Sequence, residues 1–285
     1  MKSGWIATDR RDNRINESLR SKQNSVLTPG RAHNAARNRV DYSDMPTDQT
    51  EQLPDHTAIQ EFYDGVYYRD TNRSPPVPAH LRRLAKKLAP LNNVRLLDVA
   101  CGTGRWLEAA AALGGLPAGV DISKKAVEVC RRALPGADIH CGPAEKLPFN
   151  EGEFDFISCL GALEHFIDGR AALREMVRVG KPNAVVVLLV PNSGFLTRRL
   201  GLYSGTEQTD VKEDVRSLRA WRDLFESAGL TVLHRWRDLH MLTPSWIFRG
   251  PWFGWPLRAA QAFALPLWPL SWQYQVYHLC VIRKV

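Results

Sequence analysis

Four short stretches of this sequence hold residues whose types and spacing suit ligand chemistry. In Leu96-Leu97-Asp98-Val99-Ala100-Cys101-Gly102-Thr103-Gly104 an apolar run ends in a turn with two glycines, and a helical pattern starts at once. Glycine lets the backbone approach a ligand closely and take positive φ. A helix start adds unpaired N–H groups and the positive end of a dipole. The third glycine of a dinucleotide fingerprint is missing, because Leu107 stands at its place, and the Asp98 carboxylate would repel a pyrophosphate. The same carboxylate would attract an ammonium or sulfonium group. Asp121 ends the next apolar run, 17 residues after Gly104, where an acid can accept hydrogen bonds from both hydroxyls of a ribose. Gly142-Pro143-Ala144-Glu145 makes a short polar turn after a third run, suited to the edge of an adenine ring. A fourth run leads into Leu163-Glu164-His165-Phe166, where His165 is the candidate general base.

These residues need elements to position them, and the hydropathy pattern supplies an alternation. Ile59, Phe62, Tyr63, Val66 and Tyr67 recur at helical spacing, and Ala79–Leu88 gathers its leucines on one face. Strand-like runs follow at Val94–Ala100, Ala118–Ile122, Ala137–His140, Phe154–Leu160, Ala184–Val190, Leu230–Trp236 and Tyr274–Ile282. Between them lie helical stretches, one opened by Ser123 as N-cap and stopped by Pro135-Gly136. Strands alternating with helices predict an α/β fold, a parallel sheet covered on both sides. Ligands of such sheets bind at the carboxyl ends of the strands near the switch point.

Composition bounds the function classes. The 285 residues carry a formal net charge of +8, which invites a nucleic-acid reading. The charge is terminal, however. Residues 1–40 hold nine Lys/Arg against three acids, and residues 231–285 hold six against one. Residues 1–54 lack apolar periodicity and are expected to be a disordered, solvated arm, with nucleic-acid binding disfavoured. No signal-peptide pattern or membrane-spanning run is visible, so a cytoplasmic protein is expected. The five cysteines form no CxxC pair and are expected to be buried free thiols, Cys101 as a small packing residue.

In this order and spacing, the four stretches resemble the class I S-adenosylmethionine-dependent methyltransferases, in particular the small-molecule, type 11-like group with its D-x-[AG]-C-G-T-G core. The resemblance covers about residues 57–238. It implies a doubly wound, seven-stranded, mostly parallel Rossmann-like sheet with one reversed strand at the edge, for which Tyr274–Ile282 is the candidate. It implies S-adenosylmethionine as cofactor, with Gly102, Gly104 and Ala100 along the methionine moiety and Asp98 near its amino group. Asp121 and Ile122 would hold the ribose side, Ala144 and Glu145 would border the adenine, and Leu160 would lie under the cofactor. Tyr63 and Tyr67 resemble the helix that closes over the methionine end. The Glu164-His165 pair resembles ubiquinone-pathway O-methyltransferases, in which a preceding acid completes a metal site. Gly161 stands at that position, so no metal is expected.

Acceptor choice is expected from the parts outside the core: a domain from 55 to 285 with acceptor-side elements at 193–216 and 239–273. The first is a polar loop with Arg198, Arg199, Tyr203 and Gln208. The second is rich in Trp and Pro, and six of the nine tryptophans follow residue 230. A lid over the acceptor, a packing or dimer face and peripheral membrane contact through 245–272 all suit it. The expected reaction is O-methylation of a small-molecule, sugar or lipid-linked acceptor. The alternatives are a non-catalytic binding module and a nucleic-acid methyltransferase using the basic arm.

Overall fold

The computed structural model describes residues 56–201, 213–240, 247–248 and 250–283. The expectations for the 1–54 arm, and for Tyr203, Gln208, Trp246 and Arg249, lie outside the described residues. A first helix, α1 (His56–Phe62), runs into a π-turn at Tyr63–Tyr67, and α2 spans Ala79–Leu88. Then the alternation sets in: β1 (Arg95–Val99), α3 (Arg105–Ala111), β2 (Leu116–Asp121), α4 (Lys124–Ala133), β3 (Asp138–Cys141), β4 (Phe154–Leu160), α5 (Gly169–Val179) and β5 (Gly180–Pro191). The chain closes with α6 (Leu218–Ser227), β6 (Leu230–Arg237), α7 (Trp255–Ala264) and β7 (Gln275–Ile282).

Local chemistry explains where the helices begin. Ser123, Asp168 and Ser217 each accept a bond from a backbone N–H three residues on, at 3.1, 2.9 and 3.2 Å. These are N-caps, and each satisfies a donor that the first turn leaves free. The strands form one seven-stranded sheet in the order β3-β2-β1-β4-β5-β7-β6. The chain moves outward from β1 to β3, then returns to place β4 on the other side of β1. The switch point therefore lies between β1 and β4. Leu96, Leu97 and Val99 of β1 and Val186, Val187 and Leu188 of β5 are fully buried, as strands covered on both faces require.

Two expectations need correction. β7 is the reversed strand, antiparallel to both β5 and β6, but it is interior and β6 forms the edge. The reason is in the side chains. β7 reads QVYHLCVI and is buried on both faces, whereas β6 reads LTVLHRWR and turns His234 to solvent. An amphipathic strand suits an edge and an apolar one does not. Of the cysteines, four are buried, but Cys141 is exposed at the end of the edge strand β3.

Candidate active site

The β1–α3 turn is built from left-handed backbone. Ala100, Gly102 and Gly104 have φ of 62°, 53° and 84°, a region costly for any residue with a Cβ. A Cβ on Gly102 would lie 2.8 Å from the Tyr68 hydroxyl, and one on Gly104 would lie 2.5 Å from Cys130 Sγ. The turn is thus compact for two reasons, one on the cavity side and one against α4. Gly104 lines neither cavity described below; its role is to let α3 and α4 approach. Cys101 is buried, and a hydrogen bond with Cys130 together with burial pushes its thiol up, so it packs as a neutral side chain.

Asp121 ends β2 almost fully buried. Its Oδ2 accepts from Gly102 N at 2.7 Å and its Oδ1 from Ser123 N at 2.9 Å. Burial lifts its carboxyl to about 6, while the two N–H groups oppose that rise. Asp98 is also buried and accepts from Ser158 Oγ at 2.7 Å; Ser158 in turn accepts from Trp106 Nε1 at 2.8 Å. Burial pushes its carboxyl well above the usual range, so a cation brought beside it would be favoured.

Two cavities open over the switch point. The first, of about 220 Å³, takes Asp121 from the end of β2 and Ile122 just after it, Ala144 and Glu145 from the turn after β3, and His165 beyond β4. Glu145 is fastened there, with Oε1 accepting from Asp168 N at 3.1 Å and Oε2 3.3 Å from His56 Nε2. Tyr63 also lines this cavity, and burial raises its phenol to about 12. The second cavity, of about 650 Å³, is lined by Asp98, Gly102 and Arg105 on one side and by His80, His240 and Tyr277 on the other. Tyr67, Tyr68, Ala100 and Leu160 line both.

Most residues selected from the sequence therefore meet at these two cavities. The structure adds others. Tyr68 turns inward because Tyr68 N bonds Tyr63 O at 2.8 Å, an i to i+5 bond that inserts one residue into the turn. Asp238 and His240 form a pair in the second cavity: His240 N donates to Asp238 Oδ1 at 3.1 Å, and His240 Nδ1 is hydrogen-bonded to Oδ2. That pairing raises the imidazole of His240. No local motif marks either residue. His165 lines the first cavity, with Nδ1 buried and without a partner; burial lowers its basicity, so the ring is neutral at neutral pH. Glu164 is 3% exposed, its Oε2 has no partner, and burial lifts its carboxyl to about 8. Glu213 comes to the same spot, so that ligand atoms of Glu164, His165 and Glu213 lie within 4.8 Å of one another. Gly161 removes an acid from the local sequence, and the fold brings one from 48 residues past His165.

With this geometry in place, comparison with known proteins is informative. The family model of a methyltransferase domain matches residues 97–188, from within β1 to within β5. These residues form a methyltransferase domain of the class I S-adenosylmethionine-dependent type. Among relatives of this methyltransferase domain, the demethylmenaquinone methyltransferase of Clavibacter sepedonicus is 36% identical over 170 residues, 57% of this chain and 66% of that protein. The O-methyltransferase cnsE of Penicillium expansum is 28% identical over 184 residues, 53% of this chain and 66% of that protein. The chain thus spans between about half and just under two thirds of the curated relatives it matches. Among solved structures, the [4+2]-cyclase SpnF shares the fold with a TM-score of 0.56 at 19% identity, covering 82% of this chain and 98% of that one. A methyltransferase fold can therefore carry a protein named for another reaction, and activity has to be argued from the site.

Proposed function

We propose that this chain transfers the methyl group of S-adenosylmethionine to a hydroxyl oxygen of a small-molecule acceptor, including sugar or lipid-linked ones. The observation that carries this reading is the pair of cavities meeting at Tyr67, Tyr68, Ala100 and Leu160, each with its own buried carboxylate. The bound donor supplies an already activated sulfonium methyl. The residues fit it: Asp121 keeps lone pairs for ribose hydroxyls, Ile122, Ala144 and Glu145 border an adenine, and Leu160 lies beneath. Asp98, with no cation paired to it among the described residues, suits an ammonium, and the bare face of Gly102 leaves room along the turn. Tyr63, Tyr67 and Tyr68 close the path. The unit taken to do this is residues 55–285, with acceptor-side elements at 193–216 and 239–273.

Alignment in a dry site is the chain's main contribution, and well-oriented reactants gain roughly 7–11 kcal/mol by it. A hydroxyl acceptor also needs a base. His165, neutral and with a free Nδ1, is one assignment. A second is favoured by the Asp238 pairing, which holds His240 in one orientation at the larger cavity. The relatives' names, an O-methyltransferase and demethylmenaquinone methyltransferases, support small-molecule acceptors.

Calorimetry tests the donor: S-adenosylmethionine should bind, Asp121→Ala and Gly102→Arg should abolish binding, and NAD should not bind. Tight NAD binding without the methyl donor would overturn the reading. A donor-consumption screen over sugars, phenols, quinones and lipids then identifies the acceptor. In that screen His165→Ala and His240→Ala should retain donor affinity, and the one that loses turnover names the base. Binding with no S-adenosylhomocysteine across the screen would favour a non-catalytic module. RNA affinity lost on deleting residues 1–54 would favour the nucleic-acid reading.

A further inference from the structure

The described residues include eleven exposed large apolar side chains, and seven of them lie between Phe248 and Leu267. Trp252 is 74% exposed, Phe263 82% and Leu267 85%. Helix α7 buries only Ala262 and turns Leu257 and Phe263 outward. Concentrations of this kind mark a surface that meets something apolar. The segment is also firmly rooted. Buried Gln273 donates from Nε2 to the carbonyls of Leu265 and Trp268 at 2.8 and 3.3 Å. Buried Asn192, at the end of β5, donates from Nδ2 to those of Ser271 and Gln273 at 2.9 and 3.0 Å. The outward rings therefore stand on a base tied to the sheet.

Charge selects the occupant. From Leu239 to the last residue the sequence has no Asp or Glu, and four Lys/Arg: Arg249, Arg258, Arg283 and Lys284. A symmetric contact with a second copy would set this segment against itself, with arginine facing arginine and no carboxylate of its own to pair them. An anionic lipid surface supplies both missing components, acyl chains for the rings and phosphate for the arginines. Among the described residues no helix is long and apolar enough to cross a membrane, so contact would be in the interface plane.

We propose that residues 248–267 dock the protein on an anionic bilayer, with Trp252, Phe253, Leu257, Phe263 and Leu267 entering the headgroup boundary and half-buried Arg258 adding positive charge beneath them. The proposal stands apart from the methyl-transfer reading and is tested without a substrate. The full chain is sedimented with vesicles of phosphatidylglycerol and phosphatidylcholine in equal parts, and with vesicles of phosphatidylcholine alone. It should pellet with the first, and much less with the second. Phe263→Ser with Leu267→Ser should cut pelleting at least about tenfold with an unchanged Tm, because both side chains point to solvent. Arg258→Glu should weaken binding to the anionic vesicles only. Three results would overturn the proposal. One is no pelleting with anionic vesicles at low salt. Another is pelleting that survives these substitutions and disappears when residues 1–54 are deleted, which would assign it to the basic arm. The third is a dimer in analytical ultracentrifugation, dissolved by the same substitutions, with no pelleting.

Discussion

Glu164 is buried, and one of its oxygens accepts no hydrogen bond. Its folded carboxyl, at about 8, holds a proton that the unfolded chain releases near the ordinary value of 4.5. Stability from this group is therefore fully present below pH 4.5 and is lost as pH rises toward 8. Glu164→Gln stays neutral throughout, so it should raise Tm little at pH 4.5 and most at pH 8, where the gain is on the order of a few kcal/mol. Thermal melts across that range check it. On the metal-free reading, millimolar Mg²⁺ leaves Tm unchanged. Stabilisation by Mg²⁺ that disappears in Glu213→Gln would overturn that reading. Asp121 provides a second titration: protonation below about 6 removes an acceptor, so affinity for S-adenosylmethionine should weaken as pH falls through that value. In Asp121→Asn the pH dependence should flatten, read by calorimetry at several pH values.

At the scale of elements, what was legible in the sequence was what local chemistry decides. The two-glycine turn, the Ser123 cap and the acid at the end of β2 all act on neighbours a few residues away, and each is where its sequence puts it. Tyr68 was not legible, because helical spacing selects Tyr63 and Tyr67 for one face, and only the i to i+5 bond brings the next residue inward. Asp238, His240 and Glu213 reach the site through the order of strands, which no spacing encodes. The strand beside β5 was misplaced for a similar reason: direction can be inferred from a family pattern, but position depends on which strand is apolar on both faces. One test belongs here. Ser123 caps α4 and its hydroxyl also donates to Asp64 at 2.5 Å, joining the tyrosine-bearing turn to the core. Ser123→Ala should cost about 1–2 kcal/mol of stability in denaturant titrations. It should also weaken donor binding more than a cap lost elsewhere, for which Ser217→Ala is the control.

For the whole molecule, the surplus of +8 divides into regions of different character. Residues 61–230 contribute only +2, residues 1–40 contribute +6, and the stretch beyond Asp238 has four Lys/Arg and no acid. The cofactor-binding sheet itself is close to neutral. The position of β7 has a consequence for synthesis. Because the last strand is interior, the growing chain exposes the apolar edge of β5 until residues 275–282 have left the ribosome. Such an edge is a template for pairing with other chains. A protein ending at Gln273 should therefore accumulate as insoluble material, although it retains every residue of the first cavity. Supplying the missing strand as a separate peptide during refolding should recover soluble protein, with sedimentation as the measure. Completion of the sheet thus waits on residues 275–282.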